Sequence, residues 1–118
     1  MHSVRINKLK NRMYIKVANL ETGEATKATD AIISEAKKLR KGFTVINDVS
    51  EFVPLNDVDQ KEITRAQKFL LDSGMSRLVR IVGDTAIGQM QMNRKARELG
   101  FSADRFNTLA EAEKALDE

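Results

Sequence analysis

Gly42–Asp59 reads GFTVINDVSEFVPLNDVD. Its first part, Phe43–Val49, is β-branched and apolar with little alternation, the pattern of a strand covered on both faces. The rest is acidic, is interrupted by Pro54, and ends on Asp57 and Asp59, either of which can cap a following helix. Asp59-x-x-Glu62 also has the spacing of a capping box. A buried strand running into a polar loop and then a helix N-terminus is the building unit of an α/β domain, and ligands gather at the carboxyl ends of such strands. The junction holds Asp48, Ser50, Asn56, Asp57 and Asp59, but no Cys, no His and no glycine run that could cradle a phosphate.

Upstream, Val4–Leu9 and Met13–Ala18 alternate apolar and polar residues, which predicts a β-hairpin turning at Lys10-Asn11-Arg12. Its solvent face is expected to carry Arg5, Asn7, Arg12 and Lys16. Thr22–Lys41 places Ala25, Ala28, Ile32, Ala36 and Leu39 at helical spacing, with a cationic last turn and Gly42 at the left-handed cap position. Downstream, a second helix carries Ile63, Ala66, Phe69 and Leu70 as its buried stripe and stops at Gly74. Leu78–Val82 reads as a strand with Arg80 in its middle, either snorkelling to the sheet rim or paired with a carboxylate such as Asp48 on a neighbouring strand. A third helix is predicted over Thr85–Leu99, a weak final strand over Phe101–Phe106, and a last helix behind the capping box Thr108-x-x-Glu111, bearing Leu109, Ala112, Ala115 and Leu116. The order ββαβαβαβα predicts an α/β sandwich: an N-terminal hairpin, then alternating strands and helices, with a mixed, largely parallel sheet covered by helices.

The 118 residues suffice for one domain with a core of its own, expected to span 1–118. A hydrophobic share of 42% and a charged share of 31% fit an ordinary folded chain, and the absence of cysteine excludes disulfides and thiolate metal sites. The N-terminus lacks the apolar region of a signal peptide and no stretch approaches the ~20 apolar residues of a membrane span; a cytoplasmic location is the expectation. The net charge of +3 is mild. Its basic runs, Lys8/Lys10/Arg12 and Lys37/Lys38/Arg40/Lys41, contain no stacking aromatics, which argues against a nucleic-acid partner.

Few residues point to chemistry. His2 is the one histidine and sits at a terminus expected to fray, with no second ligand or triad partner to give it a catalytic or metal role. Gly83-Asp84-Thr85-Ala86-Ile87-Gly88 follows a strand and opens a helix, but it matches neither phosphate-loop pattern, and Asp84 would repel an anion. Asp48, Asp57 and Asp59 could form a carboxylate cluster for a divalent cation; helix capping and strand-end hydrogen bonding explain them more simply. Met90 and Met92 read as adaptable packing. Lys61, Arg65 and Lys68 on the second helix, with Arg94, Lys95 and Arg97 on the third, make charged stripes next to the acidic loop and suggest a protein-docking surface. No cofactor is called for.

The element order and the segment IND-V-S-E-F-V-P-L-N-D-V-D resemble the STAS domain family, the sulphate-transporter and anti-sigma-factor-antagonist domains with their SpoIIAA-like relatives. Asp48-Val49-Ser50 matches the family's Asp-Leu-Ser opening, Phe52 and Leu55 match aliphatic positions, and Asn56 stands where an Asp is usual. Asp57 and Val58 fall on the two serine positions and Asp59 on the glycine. Leu78–Gly83 and Phe106…Ala112…Leu116 also resemble the SpoIIAA-like branch.

The resemblance implies a non-enzymatic regulatory module that binds a partner protein, in the family an anti-sigma-factor kinase, through the 48–59 loop and the second helix. Asp48, Ser50, Asn56, Asp57, Val58, Asp59, Lys61, Glu62 and Arg65 are the expected contact residues. In that family a serine at the helix start is phosphorylated, and about −2 of charge at a packed surface breaks docking. Val58 occupies that position, so the usual phosphoswitch is expected to be missing, and Ser50 is the remaining hydroxyl on the loop. A second expectation is a small-molecule or lipid-binding module with an apolar pocket between sheet and helices. A third is a metal-dependent enzyme built on the three aspartates. A homo-oligomer is left open.

Overall fold

The computed structural model describes residues 1–51, 56–82 and 104–118. Within them lie β1 (His2–Asn7), β2 (Arg12–Val17), α1 (Glu24–Ala36), β3 (Thr44–Asp48), α2 (Asp57–Asp72), β4 (Arg77–Ile81), β5 (Asp104–Phe106) and α3 (Leu109–Asp117). The five strands form one mixed sheet in the order β1-β2-β3-β4-β5. β1 runs antiparallel to β2, while β2 to β5 are parallel. Pro54, the helix predicted over Thr85–Leu99 with its basic stripe, and the start of the predicted last strand lie outside the described residues.

Each parallel strand lies beside its predecessor, so right-handed crossovers deliver successive helices to the same face. α1 accordingly packs on β1, β2 and α2, and α3 lies on the opposite face against β3, β4 and β5. The period-2 alternation of the strands sorts side chains between the faces. Met13, Ile15, Val17, Val45 and Leu78 join Ile32, Ala36, Ala66 and Leu70 in the α1/α2 core. Tyr14, Ile46, Val79 and Ile81 join Ala112 under α3. β3 thus has apolar cover on both sides, with Val45 facing α1/α2 and Ile46 facing α3, as its lack of alternation predicts.

Four differences from the sequence-based expectation have clear causes. The hairpin turns over residues 8–11, with Asn11 at φ 52 and Asn7 Oδ1 accepting from the Lys10 N–H, so both strands begin earlier than predicted. α1 ends at Ala36, not Lys41, and has no basic residue in its last turn. The chain must leave the helix there to meet the hairpin, where the Arg40 N–H donates to Asn11 Oδ1 at 2.8 Å and Asn11 Nδ2 donates back to the Arg40 carbonyl at 3.0 Å. Gly42 is left-handed at φ 87, but it opens β3 and donates to the Gly74 carbonyl instead of capping α1. His2 does not fray; it forms part of β1, with Nδ1 2.6 Å from Glu24 Oε2.

The largest correction concerns Arg12. It is 3% exposed, not on a solvent face. Its Nε donates to Thr44 Oγ1 at 3.0 Å, and its Nη1 lies 2.9 Å from Glu113 Oε1 and 3.0 Å from Asp117 Oδ1. α3 carries both carboxylates across that end of the sheet and makes the burial of a guanidinium tolerable, since a buried charge needs a hydrogen-bonded counter-charge. The helix itself starts as the sequence predicts, with Thr108 Oγ1 accepting from the Glu111 N–H at 3.2 Å.

Candidate functional site

Asp48 ends β3, and its Oδ1 accepts from both the Ser50 N–H at 3.0 Å and the Ser50 hydroxyl at 2.6 Å. This closes the strand-end turn locally and holds the Ser50 hydroxyl against its neighbour. α2 begins beyond 52–55. Its cap is Asn56, not the predicted Asp57 or Asp59, with Oδ1 accepting from the Asp59 N–H at 2.9 Å. Asp57 and Asp59 sit inside the first turn, where a carboxylate is favoured by the helix dipole. Asp59 is buried, while Asp57 and Val58 are exposed. Val58 is 65% exposed, an aliphatic side chain standing between Asp57 and the exposed Lys61 one turn later. Asp57, Lys61, Gln60 and Thr64 frame a shallow hollow on the outer surface of α2.

Glu62 and Arg65 face the seam between the two helices. Arg65 Nη2 lies 2.8 Å from Glu62 and 2.9 Å from Asp30 of α1, and the Glu62 carbonyl accepts from Thr29 Oγ1 at 3.2 Å. The bonds to Asp30 and then Glu62 push the Arg65 pKa further up. These two residues therefore anchor α2 to α1 as well as bordering its exposed face. Lys61 and Lys68 remain on that face.

The register separates the expected residues further. Asp48 is paired with Ile81 and Asn47 with Arg80, so Asp48 and Arg80 point to opposite faces of the sheet and the anticipated ion pair between them does not form. Arg80 is 1% exposed and does not reach the rim. Burial, and then the charge of Arg105, lower its pKa to about 10, which leaves it cationic at neutral pH. Asp48 instead borders a groove of about 210 Å³ on the α3 face with Ser3, Arg5, Tyr14, Lys16 and Leu109. There Arg5 stacks over the Tyr14 ring, 4.0 Å from its centroid, and Lys16 pairs with Glu51 at 3.1 Å. Among the described residues no three His, Cys, Asp or Glu side chains come together as metal ligands, and Asp48, Asp57 and Asp59 do not make a shared cluster. Among the described residues no helix is long and apolar enough to cross a membrane.

Between α1, α2 and the sheet, in the layer where the second expectation calls for an apolar pocket, lies a partly open cavity of about 60 Å³ walled by Ile15, Val17, Ala28, Ile32 and Ile63. Small residues on both helices create it. Ala25, Ala28 and Ala66 leave space that longer side chains would fill. The abundance of alanine on the two predicted apolar stripes was the available signal.

Comparison with protein families, with curated proteins and with solved structures finds no match to this chain.

Proposed function

We propose that this protein is a non-enzymatic regulatory module of the STAS, anti-sigma-factor-antagonist kind, which binds a partner protein through the 48–59 loop and α2. The observation that carries the reading is the first turn of α2, where Asp57, Val58 and Lys61 stand exposed behind a strand end that Asp48 and Ser50 fold into a turn. An aliphatic group ringed by opposite charges suits a small recognition patch, because its burial supplies affinity and the charges supply orientation. Val58 has no hydroxyl to phosphorylate, and the loop's Ser50 donates its hydroxyl to Asp48. The surface therefore works as a constitutive binder without the family's serine switch. Affinity capture with wild-type, Asp57→Lys and Val58→Lys protein tests this. A partner recovered by the wild type and lost with both variants, whose folds are intact by circular dichroism, supports docking here; equal recovery by all three refutes it.

A second reading, a small-molecule or lipid-binding module, is favoured by the cavity between α1, α2 and the sheet. A ligand that binds the folded state alone stabilises it by ~2.7 kcal/mol at a hundred times its Kd. Thermal shift against a panel of small amphiphiles reads this directly, and a flat response across the panel removes the reading.

A further inference from the structure

The two basic runs of the sequence meet in the fold. Because α1 ends at Ala36, Lys37–Lys41 is an irregular connection, pinned where Leu39 packs against the α1/α2 core. Its neighbours Lys37, Lys38, Arg40 and Lys41 are all exposed. Asn11 ties this connection to the tip of the β1–β2 hairpin through its paired hydrogen bonds with the Arg40 backbone. The tip itself exposes Lys8, Leu9 and Lys10. The acids of this end are mostly engaged: Glu35 holds Lys38 at 3.0 Å, Glu113 and Asp117 hold Lys10 and Arg12, and Asp104 holds Arg77 at 2.7 Å. Asp72, closing α2, and Glu118, behind α3 on the opposite face, are exposed and outside these pairs. Lys8, Lys37, Arg40 and Lys41 make no ion pair among the described residues, so this end carries an excess of free positive charge. Leu9 stands among them 92% exposed, the most exposed large apolar side chain of the described residues. Turns favour short polar residues, so the turn itself gives no reason for an aliphatic one there.

We propose that this end of the molecule is a peripheral membrane-contact site: the hairpin tip places Leu9 in the interfacial layer of an anionic bilayer, while Lys8, Lys37, Arg40 and Lys41 meet the lipid headgroups. Neither feature alone holds a protein on a bilayer, but an apolar insertion together with a basic patch does so reversibly. The pairing of features selects the partner. A protein interface is centred on several packed apolar side chains, whereas Leu9 protrudes alone between two lysines. A nucleic acid would use the cations but gain nothing from an aliphatic tip, and no exposed aromatic among the described residues could stack on its bases. A bilayer uses both, since its headgroups neutralise the cations and the acyl boundary takes up one projecting side chain. The geometry also keeps the rest of the surface free. The hairpin tip adjoins the start of β2, and α2 begins beyond the end of β3, at the other end of the sheet. Asp57, Val58 and Lys61 therefore face away from a membrane held by the tip.

The test is co-sedimentation of the whole protein with phosphatidylcholine vesicles, pure or mixed with phosphatidylserine at about 3:7 serine to choline lipid. The protein binds the mixed vesicles at about 0.1 M salt, ignores the pure ones, and is released at about 1 M salt, where screening is short-ranged. Lys8→Glu with Arg40→Glu weakens binding at least about twentyfold, since each cation near the surface contributes about fivefold. Lys27→Glu with Lys61→Glu makes the same change of net charge on exposed residues early in α1 and α2, at the far end, and weakens it less than about threefold. Leu9→Ser costs about tenfold. All these residues are exposed, so the variants keep the fold, which circular dichroism checks. The chain has no cysteine, so Leu9→Cys and Val58→Cys each accept a single polarity-sensitive fluorophore. Emission at position 9 shifts to the blue on mixed vesicles and emission at position 58 does not. No binding to the mixed vesicles at the lower salt, equal losses from the two double variants, or an unmoved emission at position 9 overturns the inference. Tighter binding of a labelled DNA or RNA duplex than of the vesicles, indifferent to Leu9→Ser, assigns the patch to nucleic acid and overturns it as well. Either result leaves the docking surface on α2 to its own test.

Discussion

Replacing Glu113 by Gln is the sharpest test of how the C-terminal helix is held to the sheet. Glu113 accepts from the Tyr14 hydroxyl at 2.5 Å, from Arg12 Nη1 at 2.9 Å and from Lys10 Nζ at 3.1 Å. Burial pushes its carboxyl up, but the bonds from Tyr14, Arg12 and Lys10 outweigh that and bring it from 4.5 down to about 2. At about 1.4 kcal/mol per pK unit this difference corresponds to ~3 kcal/mol of stability. Glu113 is 24% exposed, so partial screening brings the expected value down to about 1–2 kcal/mol. The group is more acidic in the folded state. Its contribution is therefore complete above about pH 4.5 and is lost as the pH falls toward 2. Urea denaturation of wild type and Glu113→Gln at a series of pH values measures it, with the wild-type advantage full at pH 7 and shrinking across that window. A pH-independent difference, or one below about 0.5 kcal/mol at pH 7, refutes the claim that this carboxylate holds α3.

Three further outcomes are expected. Asn56→Ala removes the α2 cap and costs ~1 kcal/mol in urea denaturation, whereas Asn56→Asp is nearly neutral; a neutral alanine variant would show that 56 is not the cap. Gly74→Ala costs ~2 kcal/mol because φ 96 is left-handed and a Cβ there would come 2.9 Å from Lys41 Cγ, while Gly23→Ala, at φ 81 in open space, costs ~1 kcal/mol. The reverse ranking in Tm would contradict the close approach of Lys41 to Gly74. Val58→Lys changes stability by less than about 0.5 kcal/mol, since the side chain is exposed; a larger loss in denaturation would mean that Val58 packs in the fold instead of facing a partner.

The sheet and its helices were legible because short-range patterns and long-range packing agree. The weak alternation of Phe43–Val49, with Val45 and Ile46 adjacent, calls for cover on two faces, and α1/α2 and α3 supply it. The stripes Ala25, Ala28, Ile32, Ala36 and Ala66, Leu70 mark the faces that meet that sheet. Arg12 was misread because alternation tells which face a strand residue takes but not what later covers that face; its partner Glu113 lies 101 residues away. Lys37–Arg40 favours helix locally, and the turn there is imposed by Asn11 on a different element. At the candidate site, hydrogen bonding at the strand end was anticipated from Asp48, while Asn56 was not weighed as a cap because Asp57 and Asp59 stand close by with equally good capping side chains.

The most direct measurement of the recognition claim is site-specific photo-crosslinking in cells from position 58, with a photoreactive phenylalanine analogue replacing Val58, against the same group at Leu9, which is almost fully exposed on the hairpin turn. A discrete protein adduct from position 58 that is absent from position 9 is the predicted result. Adducts equally abundant at both positions, or none at 58, would contradict a partner-docking surface at the start of α2.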